Sequence, residues 1–384
     1  MASPAKIDRR VMRGHNRAVV LDLIRRSGPI ARTEVSERTL LAKPTISGIV
    51  DELIADGVVF ETGVGETTAA GGRPRRLLDF DARTDAFLGI HIGVDHTTVA
   101  VADGRGEILA SRSCDSAVGA PQRSVEHVRR LARAALRDAE IPKRRVRRAA
   151  VAVPGLVDHW SGVCTIAPNL DWHDFPLAQT IGEALGVPTD AYNSTQASAL
   201  AEARHGIATQ VGTFVWCYVG SGVGSAIVHD GQLVYGNRGF AGEIGHCRVV
   251  DDGPRCRCGK RGCLEVFTSG PAIATAAGRS NVRQVIDDAF AGDECARNAL
   301  RDAGHLLGLG ASYLVTILNP ELVVVGGEVS PAGDFLLDPL RAALHEDVLE
   351  PERVPVVATA LEGDAALAGT VLLAYDRATE IAAR

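Results

Sequence analysis

The sequence of 384 residues contains no long hydrophobic run. Residues 1–10 lack an apolar signal core, and the apolar runs at 313–318 and 322–325 are far shorter than the ~20 residues that cross a bilayer. These absences exclude a secreted or membrane-spanning class and predict a cytoplasmic protein whose free cysteines are reduced. With 46% hydrophobic and 23% charged residues, the chain has enough material for two or three domains.

The charges are unevenly distributed along the chain. Residues 1–80 contain 13 Lys and Arg against 10 Asp and Glu, a net charge of about +3. The remaining residues contain 28 basic against 37 acidic side chains, a net charge of about −9. A basic head on an acidic body favours a nucleic-acid-binding segment attached to a small-molecule domain.

Three short helices are predicted before residue 57. Apolar residues recur at helical spacing from Asn16, Gly28-Pro29 ends that helix, and a second helix begins near Ala31. The third helix starts at Pro44, and its apolar face consists of Ile46, Ile49, Val50, Leu53 and Ile54. Two short helices and a tight turn before a third form the helix-turn-helix pattern. The turn at 39–42 contains no glycine, which leaves its geometry open.

Candidate DNA contacts lie in two places. Lys43, Thr45 and Ser47 face outward at the start of the third helix, the part that enters the major groove in helix-turn-helix proteins. A strand at 58–61 and a loop at 63–72 then predict a β-wing with a basic tip. That tip would bring Arg73, Arg75 and Arg76 to phosphates or to a minor groove. The alternative is a small helical cap with a solvated basic loop.

Two similar strand–turn–strand units follow. The first has strands at 87–103 and 107–112, a helix at 124–139 and a strand at 146–153; the second occupies 215–228 and 232–234. Repetition in two halves predicts a duplicated α/β architecture with a cleft between lobes. The glycines at these turns either allow a phosphate to approach the backbone or serve tight packing.

These pieces together resemble the ROK family (repressors, open reading frames and sugar kinases). The closest resemblance is to its winged-helix regulators of sugar metabolism, of the xylose or N-acetylglucosamine repressor type. The residues that carry it are 71–74 (GGRP), 153–158 (VPGLVD), 167–172 (APNLDW), 193–202, 239–246 (GFAGEIGH) and 256–265 (CRCGKRGCLE).

The resemblance implies an α/β protein with two parts. Residues 1–82 would form a winged helix-turn-helix DNA-binding domain, and residues 83–384 a two-lobed, actin/hexokinase-like ROK sugar-sensing domain. The small lobe would contain about 83–196 plus the C-terminal helix, and the large lobe about 197–365.

A metal site is predicted from four side chains. His246, Cys256, Cys258 and Cys263 supply three thiolates and an imidazole, a set that favours four-coordinate Zn²⁺. Four protein ligands leave no open position, so the zinc is expected to be structural. The neighbouring basic residues Arg255, Arg257, Lys260 and Arg261 would favour the deprotonated thiols. Cys247 is the expected spare, and the alternative is that these cysteines are buried or incidental.

The resemblance also implies a sugar pocket braced by the zinc loop. Its sugar-binding residues would be Asn169, Asn193, Glu243, His246 and Glu265. Carboxylates and amides suit a polyol, because each unmatched hydroxyl costs binding energy and so discriminates between epimers. Two structural alternatives stay open, since Glu243 could cap a helix and Asn169 could serve a turn.

Two positions argue against kinase activity. Family kinases carry a carboxylate base immediately after the residue that matches Asn193, and this chain has Ser194 there. They also carry an Asp-x-Gly-x-Thr phosphate loop, and in this chain His91 replaces the aspartate of that loop. We therefore expect a regulator of the repressor type and not an enzyme. It is expected to bind operator DNA as a homodimer or homotetramer and to respond to a monosaccharide or sugar derivative. The alternatives are an active ATP-dependent sugar kinase with a DNA-binding appendage, or a regulator controlled by a protein partner.

Overall fold

A computed structural model describes residues 9–64, 76–349 and 354–383. The helices are α1 (Arg9–Ser27), α2 (Arg32–Thr39), α3 (Lys43–Ala55), α4 (Pro121–Asp138), α5 (Leu177–Leu185), α6 (Ser194–His205), α7 (Glu265–Thr268), α8 (Gly270–Ala276), α9 (Val282–Ala291), α10 (Glu294–Leu318), α11 (Asp334–Asp347) and α12 (Ala365–Ala383). The strands are β1 (Ile30–Ala31), β2 (Val59–Val64), β3 (Arg76–Phe80), β4 (Ala86–Ile92), β5 (His96–Asp103), β6 (Ile108–Asp115), β7 (Val146–Val153), β8 (Leu156–Val157), β9 (Cys164–Ala167), β10 (Trp172–Phe175), β11 (Thr189–Asn193), β12 (Thr213–Val219), β13 (Val223–His229), β14 (Gln232–Leu233), β15 (Leu322–Gly326) and β16 (Val356–Ala358). Among the described helices, none has the length and apolarity that a bilayer crossing requires.

The N-terminal head (residues 9–80) consists of α1–α3 and a sheet of order β1-β3-β2. The predicted apolar face of α3 is confirmed: Ile46, Ile49, Val50 and Leu53 are buried, and Ile54 is half-buried. The first helix begins at Arg9, earlier than the periodicity indicated. In the turn without glycine, Leu40 itself adopts the left-handed conformation, with φ 57°, and ends α2.

The body contains two five-stranded sheets built on one plan. Their orders are β6-β5-β4-β7-β11 and β14-β13-β12-β15-β16. In each sheet the first three strands are antiparallel, and the last two continue parallel to the third. This confirms the duplicated α/β architecture that the repeated hairpins predict. A smaller sheet, β10-β9-β8, follows the first one along the chain.

Helix α6 lies between the two large sheets and directs its first turn toward the cleft. Its Leu200 packs with Phe87 of the first sheet and with α12, while Ala199 packs with Trp216 of the second sheet. Where α12 crosses α6, a side chain at Gly369 would collide with the Ala197 carbonyl, so only glycine allows this approach. The start of α6 is therefore held rigidly between both halves of the body.

The head contacts the body through a buried arginine. Arg25 of α1 is 6% exposed and pairs with Asp85 at 3.2 Å. Its guanidinium also lies 4.4 Å from the ring centre of Phe80 in β3 and 5.5 Å from that of Tyr375 in α12. The proposed domain division at 82/83 falls in the connection between β3 and β4. The C-terminal helix thus touches both the head and the first sheet.

Candidate metal centre and adjoining pocket

Four side chains of the predicted metal site lie together. One ligand atom from each of His246, Cys256, Cys258 and Cys263 lies within 4.8 Å of all the others. The Cys258 and Cys263 sulfurs are 3.7 Å apart, and the Cys256 sulfur is 3.7 Å from His246 Nδ1. A tetrahedral zinc with ordinary bond lengths would separate two sulfurs by about 3.8 Å and a sulfur from a nitrogen by about 3.6 Å. The residues therefore fit a four-coordinate metal ion.

The metal loop (residues 246–263) is shaped by backbone contacts. A short 3-10 turn at Ile244–His246 presents the histidine, and the Lys260 ammonium donates to the His246 carbonyl at 2.9 Å. Gly262, at φ 69°, passes directly against the Val250 carbonyl and leaves no room for a side chain. Cys247 is exposed and lies outside the ligand cluster, as expected of the spare thiol.

The loop's environment affects its thiols differently. Burial raises the pKa of Cys258, but hydrogen bonds from the Lys260 backbone and the neighbouring thiols lower it below its ordinary value. Burial raises the pKa of Cys263 to about 12. Of the four basic neighbours, only Lys260 adds its charge to this lowering, and it is the smallest of the causes. A bound cation would have to deprotonate Cys263 itself.

A cavity of about 120 Å³ adjoins the metal loop. All five side chains predicted to bind a sugar line it: Asn169, Asn193, Glu243, His246 and Glu265. His246 and Cys258 belong both to this lining and to the metal cluster. The metal loop thus forms one wall of the cavity. A metal ion bound to the four ligands would therefore also fix the positions of the side chains in that wall.

Two carboxyl groups face each other in this cavity. Glu265, at the start of α7, accepts a hydrogen bond from the Val223 backbone at 3.1 Å. Burial, and then the negative charge of Glu265, raise the pKa of Glu243 to about 7. Near neutral pH Glu243 is close to its titration midpoint and can donate as well as accept. Its side chain caps no helix, so the capping alternative does not apply.

The two asparagines have different surroundings. Asn193 caps α6, since its side-chain oxygen accepts from the Thr195 backbone at 2.7 Å and its amide donates to Gly155 at 2.9 Å. Much of its hydrogen-bonding capacity is therefore used within the protein. Asn169 lies in the turn after β9, and its side-chain oxygen accepts from Arg257 of the metal loop at 2.9 Å. Arg257 was predicted only as a neighbour of the thiols, and this contact with the cavity was missed.

The positions linked to phosphoryl transfer line a second cavity of about 450 Å³. His91 Nδ1 lies 2.7 Å from Asp364 Oδ2, and Ser194 lines both cavities. Burial opposes ionisation of Asp364, but the hydrogen bond with His91 lowers its pKa below the ordinary value. Asp190 pairs with Arg148 at 2.6 Å and lines neither cavity.

The predicted DNA-contacting residues of the head fall into two groups. Lys43, Thr45 and Ser47 are exposed at the start of α3, as the helical pattern predicts. Arg76, at the start of β3, is exposed and pairs with Glu61 of β2. The predicted residues Arg73 and Arg75 lie outside the described residues. The structure therefore presents a polar helix end next to a two-stranded ribbon.

The head and body together define a class of protein: a winged helix-turn-helix joined to an actin/hexokinase-like body whose pocket adjoins a candidate metal site. The model of the ROK family matches residues 87–377, which is more than half of the chain. The chain belongs to the ROK family.

The chain is similar to transcriptional regulators over most of its length. It is 29% identical to the xylose repressor of Caldicellulosiruptor bescii over 351 residues, covering 86% of this chain and 87% of that protein. It is 27% identical to the DNA-binding transcriptional dual regulator NagC of Escherichia coli (strain K12) over 375 residues, covering 93% and 92%.

Solved structures of two kinds match the fold. A ROK family transcriptional regulator, described as a homolog of the E. coli MLC protein, matches with a TM-score of 0.81 and 26% identity, covering 97% of this chain and 99% of that one. A ROK family glucokinase from Streptomyces griseus, in complex with glucose and AMPPNP, matches with a TM-score of 0.66 and 27% identity, covering 76% and 99%. The regulator thus matches nearly the whole chain, whereas the kinase matches about three quarters of it.

Proposed function

We propose that this chain is a sugar-responsive, DNA-binding transcriptional regulator that acts as a repressor. We place it in the cytoplasm. The observation that carries the proposal is the pairing of two parts in one chain. A pocket of amides and carboxylates is braced by a metal loop, and a helix-turn-helix head presents the polar end of α3. The similarity to named repressors over more than four fifths of the chain supports it.

The metal in this proposal is zinc with a structural role. Three thiols and one imidazole are the donor set that zinc prefers, and four protein ligands leave no position for a substrate. When bound, the ion would hold His246 and Cys258 in place as part of the pocket wall. The sugar would then bind Asn169, Glu243, His246 and Glu265, with Asn193 contributing mainly as the cap that orders the start of α6.

The body is proposed to have no kinase activity. A kinase needs a carboxylate to accept the proton of the attacking hydroxyl, and Ser194 is not a base near neutral pH. His91 is engaged with Asp364 and offers no carboxylate of its own. An active sugar kinase would release ADP in the presence of a sugar, which is the observation that would restore the alternative.

The pocket and the head are connected by packed elements. Asn193 lines the pocket and caps α6, α6 packs against α12, and Tyr375 of α12 contacts Arg25 of the head. A sugar that closes the lobes would therefore displace the head. In a homodimer or homotetramer this movement would change how two heads match half-sites about one helical turn apart. A coupling of about 1–3 kcal/mol would change operator affinity roughly 5–150-fold.

The proposal is tested by DNA binding with and without sugars. The zinc-loaded protein is titrated onto labelled DNA from upstream of its own gene and of neighbouring operons, and fluorescence anisotropy is measured. The salt concentration is held constant because phosphate contacts make affinity steeply salt-dependent. A change in affinity with one sugar supports the proposal. Tight binding that no sugar alters would instead indicate a protein partner, and no DNA binding would contradict the regulatory role.

A further inference from the structure

The two cavities of the body are compartments of one cleft. They share Pro154, Ser194, Tyr218 and Ser221 in their linings. The sugar compartment has about 120 Å³, and its neighbour about 450 Å³. Small-molecule sites commonly have about 300–1,000 Å³, so the larger compartment is big enough for a ligand group of its own. A ligand held in the sugar pocket can extend past Ser194 into this space.

The chemistry of the larger compartment opposes nucleotide phosphates. Among the described residues that line it, none is lysine or arginine, whereas Asp95, Glu328 and Asp364 are acidic. Burial, and then the negative charge of Asp95, raise the pKa of Glu328. An added anion would meet Asp95 and Asp364 and would disfavour ionisation of Glu328 further. Of the two histidines in the lining, His91 already pairs with Asp364 at 2.7 Å.

Three backbone donors at the glycine turns are already used within the protein. In the first hairpin turn, the Gly93 backbone donates to the His96 carbonyl at 2.9 Å. In the second, the Gly220 backbone donates to the Gly222 carbonyl at 2.9 Å, and the Val223 backbone donates to Glu265. A phosphate would have to break these bonds before it could bind. Tight packing therefore explains the glycines better than an anion site does.

The polar lining suits hydroxyl groups instead. Ser198, Ser330 and Thr359 donate their hydroxyl protons to Ser194, Gly327 and Glu202, so their oxygens are left to accept from a ligand's hydroxyls. The Tyr218 hydroxyl lies in the same lining. Ser194 stands at the passage between the compartments, and a hydroxyl can donate to an ether oxygen, whereas a carboxylate can only accept. A free sugar hydroxyl at this point would suit a carboxylate, but a glycosidic oxygen requires a donor.

We propose that the larger compartment binds an uncharged glycosyl group, so that the effector is a disaccharide or a related glycoside rather than a free monosaccharide. This rests on the proposed sugar-sensing function and names its ligand class. The first sugar ring occupies the metal-braced pocket, its glycosidic oxygen accepts from Ser194, and the second ring lies among the hydroxyls of the larger compartment.

The test compares matched sugars by isothermal titration calorimetry on the zinc-loaded full chain. The pairs are xylose and xylobiose, N-acetylglucosamine and N,N′-diacetylchitobiose, and glucose and cellobiose. We expect at least one disaccharide to bind at least 10-fold more tightly than its monosaccharide. Ser330→Trp fills only the larger compartment and should abolish this gain while leaving monosaccharide affinity unchanged.

A second filling variant and a control keep the test decisive. Ala365→Trp fills the same compartment from α12 and replaces Ser330→Trp if that variant unfolds. Ser111→Trp, on the exposed face of β6, adds the same ring outside the cleft and should keep the 10-fold gain. Equal affinities within every pair would overturn the inference and leave the proposed function standing. Binding of Mg·ATP that Ser330→Trp blocks would also overturn it. If no sugar binds, the proposed function and the inference both fail.

Discussion

The N-terminal head and the metal loop are both short segments, yet they are held in shape by different means. The head has a core of apolar side chains from three helices and a sheet, including Val20, Ile24 and Leu53. The metal loop is rich in charged residues, and its four ligand atoms converge on one point. Removing one side chain from a core of many small contacts lowers the stability of the head by only part of its total. Removing one of four ligands is expected to release the metal ion altogether.

The largest expected effect is the loss of one metal ligand. Cys258→Ser should release the metal and weaken sugar binding at least 100-fold, because the same side chain lines the pocket wall. Metal content is measured by mass spectrometry and sugar affinity by calorimetry. Cys247→Ser is the matched control, since Cys247 is exposed outside the cluster and its replacement should change neither value. A metal-free variant with normal sugar affinity would contradict the bracing role.

A change in the head core should be smaller and confined to the head. Ile49 is 3% exposed, and Ile49→Ala should cost the head about 2–4 kcal/mol, because it leaves a cavity among packed side chains. Operator affinity, measured by anisotropy, should fall while sugar affinity is retained. Val19→Ala, at a residue 36% exposed, is the control and should cost much less. If Ile49→Ala also lost sugar affinity, the stability of the head and sugar binding by the body would be coupled, contrary to this prediction.

The charge of the pocket can be changed without removing its hydrogen bonds. In Glu265→Gln the amide oxygen can still accept from Val223. Burial would still raise the pKa of Glu243, but the second cause, the negative charge of Glu265, is lost. We expect sugar affinity to fall about 10-fold, because a hydrogen bond to a neutral amide is weaker than one to a charged carboxylate. The pH midpoint of sugar binding should also move below 7. Affinities measured from pH 5 to 8 test this, and an unchanged midpoint would mean that Glu243 does not control binding.

The smallest expected effect is at the turn between α2 and α3. Leu40 is 90% exposed and has φ 57°, a conformation that costs a residue with a side chain about 1–2 kcal/mol. Leu40→Gly should relieve this strain and, after the entropy of glycine is counted, stabilise the head by about 0.5 kcal/mol. Chemical denaturation measures the change. Thr39→Gly, one residue earlier within α2, should destabilise the head instead, and a loss of stability in Leu40→Gly would contradict the strain argument.

The predictions from sequence were most successful where the pattern is local. The apolar face of α3 repeats within a single helix, and the hairpins before and after β5 consist of adjacent segments. The metal ligands lie within eighteen residues, so residue type and spacing were enough to group them. The five candidate sugar-binding residues were predicted through family resemblance, because Asn169 and Glu265 are distant in sequence and no local pattern joins them.

Several roles depended on contacts that no local pattern records. Asn193 was predicted as a sugar ligand, and its use as the cap of α6 follows from the way β11 ends against the start of that helix. Arg257 reaches Asn169 across 88 positions, and His91 reaches Asp364 across 273. Leu40 takes the conformation usually left to glycine because the surrounding helices specify the turn.

The sequence by itself determined the helix faces, the hairpins and the set of metal ligands, since each depends on residue types at short and regular spacing. The tertiary structure decided which asparagine is committed to a helix cap, which arginine donates to Asn169 and how the cleft is divided into two compartments. The physical reason is that two separately folded sheets and the helices between them bring distant side chains within hydrogen-bonding distance. Such contacts depend on packing across the whole body and not on the neighbours of any one residue.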